Sequence, residues 1–197
     1  SGEVVADRTL SPFFVFHHVN AFHDHGTVAV DLVAFPDADI VGAMSLDALD
    51  GPGFPNVPDG RLVRLRIDLD GGVDRERLYD GGIELPRIAR LRTGRRHRYV
   101  YGQATDRSGA NGLVKVDCET GRAREWWERS VFVEEPIPVP RPGGDGDDGV
   151  VLATAVDAER DRSLLLVFDA ATLELHARVV LPHTEPFGFH GRFFPGL

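Results

Sequence analysis

Residues 163–182 read SLLLVFDAATLELHARVVLP. Two apolar runs flank Asp169 to Thr172, whose small and polar side chains suit a tight turn. The pattern predicts a β-hairpin of the kind that forms the outer part of a propeller blade. Outward from it, short runs of the same character recur between turn residues: Phe13 to Phe22, Thr27 to Phe35, Arg61 to Leu69, His97 to Gln103, Gly112 to Asp117, Val150 to Val156, Ser163 to Asp169 and Leu173 to Leu181. That spacing predicts an all-β sandwich, barrel or propeller. Only Met44 to Asp50 predicts a helix, and a short one. No internal repeat is evident, which weighs against a regular propeller but not a divergent one.

With 197 residues, 42% of them hydrophobic, the chain is long enough to bury a sizeable core, and length alone predicts one domain. The formal charge of −9 argues against a nucleic-acid partner, because a phosphate-binding surface needs a basic stripe and none is evident. Arg92, Arg95, Arg96 and Arg98 cluster, and are read as a solvated face. No apolar stretch approaches the ~20 residues of a membrane span and the N-terminus lacks a signal-peptide pattern, so the expectation is a soluble, cytoplasmic protein. Cys118 is the only cysteine, which excludes an intrachain disulfide, a thiolate zinc site and an iron–sulfur cluster built from this chain alone. Proline and glycine concentrate at 51–60 (GPGFPNVPDG) and 136–149 (PIPVPRPGGDGDDG), both read as loops. GGDGDDGVV (143–151) fits one calcium-binding nonapeptide, but such sites need stacked repeats, so an acidic hairpin turn is the better reading.

Eight histidines are therefore the only strong metal donors besides carboxylates. His17 and His18 lie in FFVFHHVNAF (13–22), and neighbours on a strand point to opposite faces, so at most one of them serves a shared centre. His23 and His25 share a face beside turn residues and read as a surface pair. His190 lies in EPFGFHGRFFPGL (185–197), between glycines that permit close backbone approach. Helical HExxH, P-loop, GxGxxG and GxSxG patterns are missing. The residues alone reach an all-β protein whose buried histidines either gather at a metal or serve as ordinary polar groups.

Several segments together carry a more specific message. FFVFHHVNAF followed by VAVDLVAF (28–35) resembles the stretch of the carotenoid cleavage oxygenase family, the family of the retinal pigment epithelium membrane protein, in which F-H-x-x-N supplies an iron-binding histidine. In the same order, GGIELPRI (81–88) resembles the family's E-[FL]-P-R-I segment, VFVEEPIPVPRPGGDGDDGVVLA (131–153) its E-P-x-F-V-P-x-P-G loop and following strand, and PFGFHG (186–191) its terminal G-F-H-G. The resemblance implies iron ligands at His17 and His190, with His18 directed elsewhere. It also implies that Glu84 and Glu135 accept hydrogen bonds from the ligating imidazoles and so orient them. Glu134 is the rival to Glu135, which is preferred because it directly precedes Pro136.

The implied cofactor is Fe(2+), held in the family by four histidines with open coordination for dioxygen. The implied activity is that of a dioxygenase cleaving a conjugated C=C bond of a carotenoid or apocarotenoid to carbonyl products. Nothing implies a catalytic side chain beyond the metal centre, nor a nicotinamide or flavin site. Phe13, Phe14, Phe16, Phe187 and Phe189 are candidates to line a polyene tunnel, or to pack the core.

The implied fold is all-β: the C-terminal blades of a seven-bladed β-propeller, incomplete in this chain, with 1–197 forming the C-terminal part of a single domain. Seven blades at ~40 residues each need roughly 280 residues. The family's other two ligands lie upstream of F-H-x-x-N. Implied partners are thus the N-terminal half of the propeller or another chain, the polyene and dioxygen, with peripheral membrane contact as a means of collecting lipid substrate. His23 departs from the family, which carries an acidic residue there. Two other functions remain open: a catalytically inactive propeller-derived binding or scaffold protein, and an isomerase or hydrolase of retinoid esters.

Overall fold

The computed structural model describes residues 2–49, 58–107, 110–144 and 146–196. Its strands form three antiparallel sheets, each built in chain order. The first holds β1 (His18–Asp24), β2 (Thr27–Ala34), β3 (Arg61–Asp68) and β4 (Val73–Arg77). The second holds β5 (Ile83–Arg87), β6 (Tyr99–Ala104), β7 (Gly112–Asp117) and β8 (Ala123–Trp127). In the third, β9 (Val131–Val133) and β10 (Ile137–Pro140) both pair with β11 (Gly149–Asp157), followed by β12 (Arg162–Asp169) and β13 (Leu175–Val180). The 163–182 hairpin is the β12–β13 pair of the third sheet, as its sequence predicts.

The differences from the sequence reading have local causes. β4 (VDRER) and β8 (AREWW) are outer strands with mostly exposed side chains, so neither carries an apolar alternation. The 136–149 segment is not all loop: β10 (IPVP) pairs with β11, and its prolines are tolerated because β10 sits at the sheet edge. An acidic turn follows it, with Pro140 opposite Gly149. The short helix expected at 44–50 is present as Leu46–Leu49, preceded by a second short turn of helix, Asp39–Ala43, that the sequence reading did not place, while Asp50 and loop residues 51–57 lie outside the described residues. No helix among the described residues is long and apolar enough to cross a membrane.

Strand alternation packs the sheets against one another. Along β7, Val114 and Val116 face the first sheet, joining Val33, Phe35 and Leu62, while Leu113 joins Tyr101, Val151, Leu166 and Phe168 against the third. Both faces of the middle sheet are therefore buried. Leu32, Ala34, Val63 and Leu65 form a smaller cluster on the far side of the first sheet. On the far side of the third, Leu152, Leu165 and Val167 are half-buried.

Between the first two sheets lies a buried polar network. Arg64 donates two hydrogen bonds of 2.7 Å to Asp31, whose side chain is 0% exposed, and His97 Nε2 lies 3.0 Å from the same carboxylate. Asn20 supports His97 at Nδ1 and donates to the Arg92 and Arg95 carbonyls, fixing the 88–98 loop to β1. Burial acts to raise the Asp31 carboxyl, but the hydrogen bonds from Arg64 and His97 outweigh it and hold it below its ordinary value of 3.8. A guanidinium left buried without its carboxylate is costly, so Asp31→Ala should lose ~3–5 kcal/mol of stability, read as a lower urea midpoint. Because the folded value is depressed, Asp31's contribution is full above pH 3.8 and is lost as pH falls through the folded value. Acid unfolding below that pH should be less steep in Asp31→Asn than in the parent.

Candidate metal centre

The first strand of each sheet is irregular at the same level. In the first sheet, Phe14 bridges Phe35 and β1 begins only at His18, with a shift of register between His18 and Asn20; His17 falls in the gap, its carbonyl held by Val33 N–H at 3.0 Å. In the second, Glu84 pairs with Gln103 and Arg87 with Tyr101, so Leu85 and Pro86 together face Gly102. Leu85 takes a left-handed φ of 47°. Gly102 is required opposite this bulge, because a Cβ there would come within 2.5 Å of Ile83. In the third, the ladder with β11 lapses between Val133 and Ile137, where Glu134 keeps only its N–H bond to the Thr154 carbonyl. Bulges redirect side chains that a regular strand would send to a sheet face. Here they turn His17, Glu84 and Glu135 toward one another.

The C-terminal segment completes the arrangement with His190. His17 Nδ1 is 2.6 Å from Glu84 Oε2, and His190 Nδ1 is 2.9 Å from Glu135 Oε1. A carboxylate only accepts, so each Nδ1 carries the proton and each Nε2 presents a lone pair. The two Nε2 atoms lie 3.4 Å apart, with the rings at 81°. Two lone pairs at that separation repel unless a cation lies between them. Imidazole nitrogens ~2.1 Å from a common ion, the usual zinc-like distance, can stand this far apart. The donor set therefore fits a divalent metal such as iron.

The surroundings reinforce this. Arg87 Nη2 donates to Glu135 Oε2 and to the Gly191 carbonyl, both at 2.8 Å, and Gly191 N–H donates to Glu135 Oε2 at 2.9 Å. Arg87 thus offsets one of the two carboxylates and leaves the other to be balanced. Burial pushes the Glu84 carboxyl up, opposed by the Leu85 N–H at 2.5 Å and by His17. Glu84 Oε1 is buried without a hydrogen-bond partner among the described residues.

The remaining candidates go elsewhere. His18 and His23 are exposed, and His25 occupies a turn with φ 48°. Phe14 packs with Phe35 in the core and Phe13 lies under Arg75, whereas Phe16 flanks His17 and Phe189 is exposed beside His190. Phe187 packs edge-on against Phe132. Asp31, His97 and Cys118 also gather within 4.8 Å, but Arg64 already supplies the cation for Asp31, so this cluster is a structural network. Sequence reading missed Arg87, although its place three residues after Glu84 and directly after Pro86 was visible.

Residues 2–195 match the retinal pigment epithelial membrane protein family. The chain belongs to this family. A carotenoid cleavage dioxygenase 8 homolog of Oryza sativa subsp. japonica is 33% identical over 211 residues, covering 99% of this chain and 38% of the relative. The apocarotenoid-15,15'-oxygenase of Synechocystis is 34% identical over 190 residues, covering 90% of this chain and 38% of the relative. The crystal structure of the cobalt-substituted Synechocystis enzyme superimposes with a TM-score of 0.79 at 33% identity, covering 91% of this chain and 39% of that one. This family member thus spans about two fifths of the length of the relatives it matches, and its three sheets are blades of an incomplete β-propeller.

Within the family member's first blade interface, burial pushes the Cys118 thiol up to about 12. Almost no thiolate is then present near neutrality. Native protein at pH 8 should resist iodoacetamide, and urea-unfolded protein should be labelled at Cys118, as read by intact mass.

Proposed function

We propose that this chain supplies one side of a non-haem Fe(II) centre in a dioxygenase that cleaves a conjugated C=C bond of a carotenoid or apocarotenoid. The supporting observation is the convergence of His17 Nε2 and His190 Nε2 at 3.4 Å, with each Nδ1 on its own carboxylate. One molecule of dioxygen ends as two carbonyl oxygens, one on each fragment, so no external reductant is needed. Iron, when bound, supplies activation of dioxygen.

The chain's own residues hold and shape that centre. His17 and His190 are the ligands, and Glu84 and Glu135 fix their tautomers and ring planes. Phe16 and Phe189 offer apolar surface beside the imidazoles, suited to a polyene. His190 is 56% exposed and His17 25% exposed at the side chain, so one side of the pair is open. Half-buried apolar side chains on the far faces of the first and third blades, among them Phe13, Val15, Leu152 and Leu165, suit further blades packing there. We assign residues 1–197 to the C-terminal part of one propeller domain, with the remaining ligands and most of the tunnel contributed by the portion of the relatives' length that this chain does not span. Membrane contact for collecting lipid substrate fits the same reading.

Iron content measured on the complete protein tests the proposal. The parent should hold iron stoichiometrically and turn an apocarotenal into two carbonyl products in the presence of dioxygen. His17→Ala and His190→Ala should each lose the iron, and Glu84→Gln should weaken its binding by ~10–100-fold. Stoichiometric iron without polyene turnover would favour the isomerase or hydrolase reading. Absence of specific iron in the parent would leave a binding or scaffold protein.

A further inference from the structure

The segment that carries His190 has little apolar anchorage. Phe187, Phe189, Phe193 and Phe194 are 63%, 66%, 44% and 55% exposed, and a cavity of about 250 Å³ lies between this segment and the face of β10–β12. What ties it down near His190 is mainly hydrogen bonding to two adjacent carboxylates. Glu135 takes Gly191 N–H at 2.9 Å, and Glu134 takes Gly188 N–H at 2.6 Å through Oε1. The two anchor points bracket His190.

Glu134 is itself fixed at both ends. Its backbone N–H donates to the Thr154 carbonyl at 2.9 Å, and its Oε2 accepts from the Thr154 hydroxyl. Strand alternation alone would turn Glu134 and Glu135 to opposite faces. The break at Pro136 lets both serve the same segment, one through a backbone amide and one through an amide and an imidazole. The two glutamates therefore have separate tasks: Glu135 orients the ring, and Glu134 sets the height of the backbone that carries it.

We propose that Glu134, fixed by Thr154, is a positioning residue for His190. Its effect on metal binding rests on the reading of His190 as a ligand, whereas its effect on the segment does not. The task asked of Glu134 is to accept hydrogen bonds, and its charge is incidental: a glutamine can accept from Gly188 N–H through its carbonyl oxygen while its amide donates to the Thr154 hydroxyl.

Amide hydrogen exchange over 183–196 and Co(2+) titration, followed by the cobalt visible spectrum, test this in the complete protein. Glu134→Ala should speed exchange at Gly188 to Gly191 and weaken cobalt binding, each by ~10-fold or more, by analogy with the loss of other groups that orient ligands. Glu134→Gln should restore both to near the parent. Thr154→Val, a milder change that keeps the β11 backbone, should fall between and serves if Glu134→Ala does not fold. Unchanged exchange in Glu134→Ala and Thr154→Val overturns the proposal, as does a Glu134→Gln variant as impaired as the alanine. Faster exchange with unaltered cobalt affinity overturns the link to the metal. Altered exchange with no cobalt bound even by the parent overturns the metal reading and supports the clamp.

Discussion

An imidazole that donates a hydrogen bond from Nδ1–H to a carboxylate has one nitrogen left to offer, and the direction of that nitrogen is fixed by the carboxylate. The candidate centre depends on this constraint acting twice. Glu84 holds His17 and Glu135 holds His190, from different blades, so the meeting of the two Nε2 atoms is set by how the blades pack. Arg87 links the pairs, since it leaves the strand that bears Glu84 and grips Glu135 and the Gly191 carbonyl. Tight blade packing and ligand geometry are thereby the same requirement.

The strand breaks follow from it. A regular first strand would alternate its side chains between two sheet faces and aim few of them along its edge toward the neighbouring blade's first strand. Each blade gives up ladder pairing at one level to redirect a side chain: at His17, at Leu85 and Pro86, and at Glu134 to Pro136. At the second of these breaks Leu85 takes a left-handed φ of 47°, and the missing side chain of Gly102 opposite leaves room for Ile83. Outer strands such as β4 and β13, with no such task, pair regularly or nearly so and stay exposed.

The two clusters of ionisable groups differ in which cation they receive. Asp31 is surrounded by Arg64 and His97, so its charge is met within the protein. Of the two carboxylates around His17 and His190, only Glu135 meets a guanidinium, that of Arg87, and two imidazole lone pairs face each other. The first arrangement stabilises a blade interface; the second has a charge balance and donor set suited to a positive ion. Proximity of donors alone does not separate them, whereas the charge balance does.

Sequence by itself determined the all-β character, through short apolar runs between turns, and the 163–182 hairpin, because alternation and turn chemistry are local properties. Ordered motifs around His17, Glu84, Glu135 and His190 also marked the residues worth following. Sequence did not show β4, β5, β8, β9 or β10, since charged outer strands and proline-bearing inner ones lack the alternation that burial on one face imposes, and the three residues of β9 are too few to display it. Only the tertiary structure decided that Glu134 and Glu135 divide the holding of one segment, that Arg87 joins the pairs, and that Arg64 fills the place beside Asp31. Those facts depend on where strands break and on contacts between residues far apart in the chain, and no local pattern of side chains encodes either.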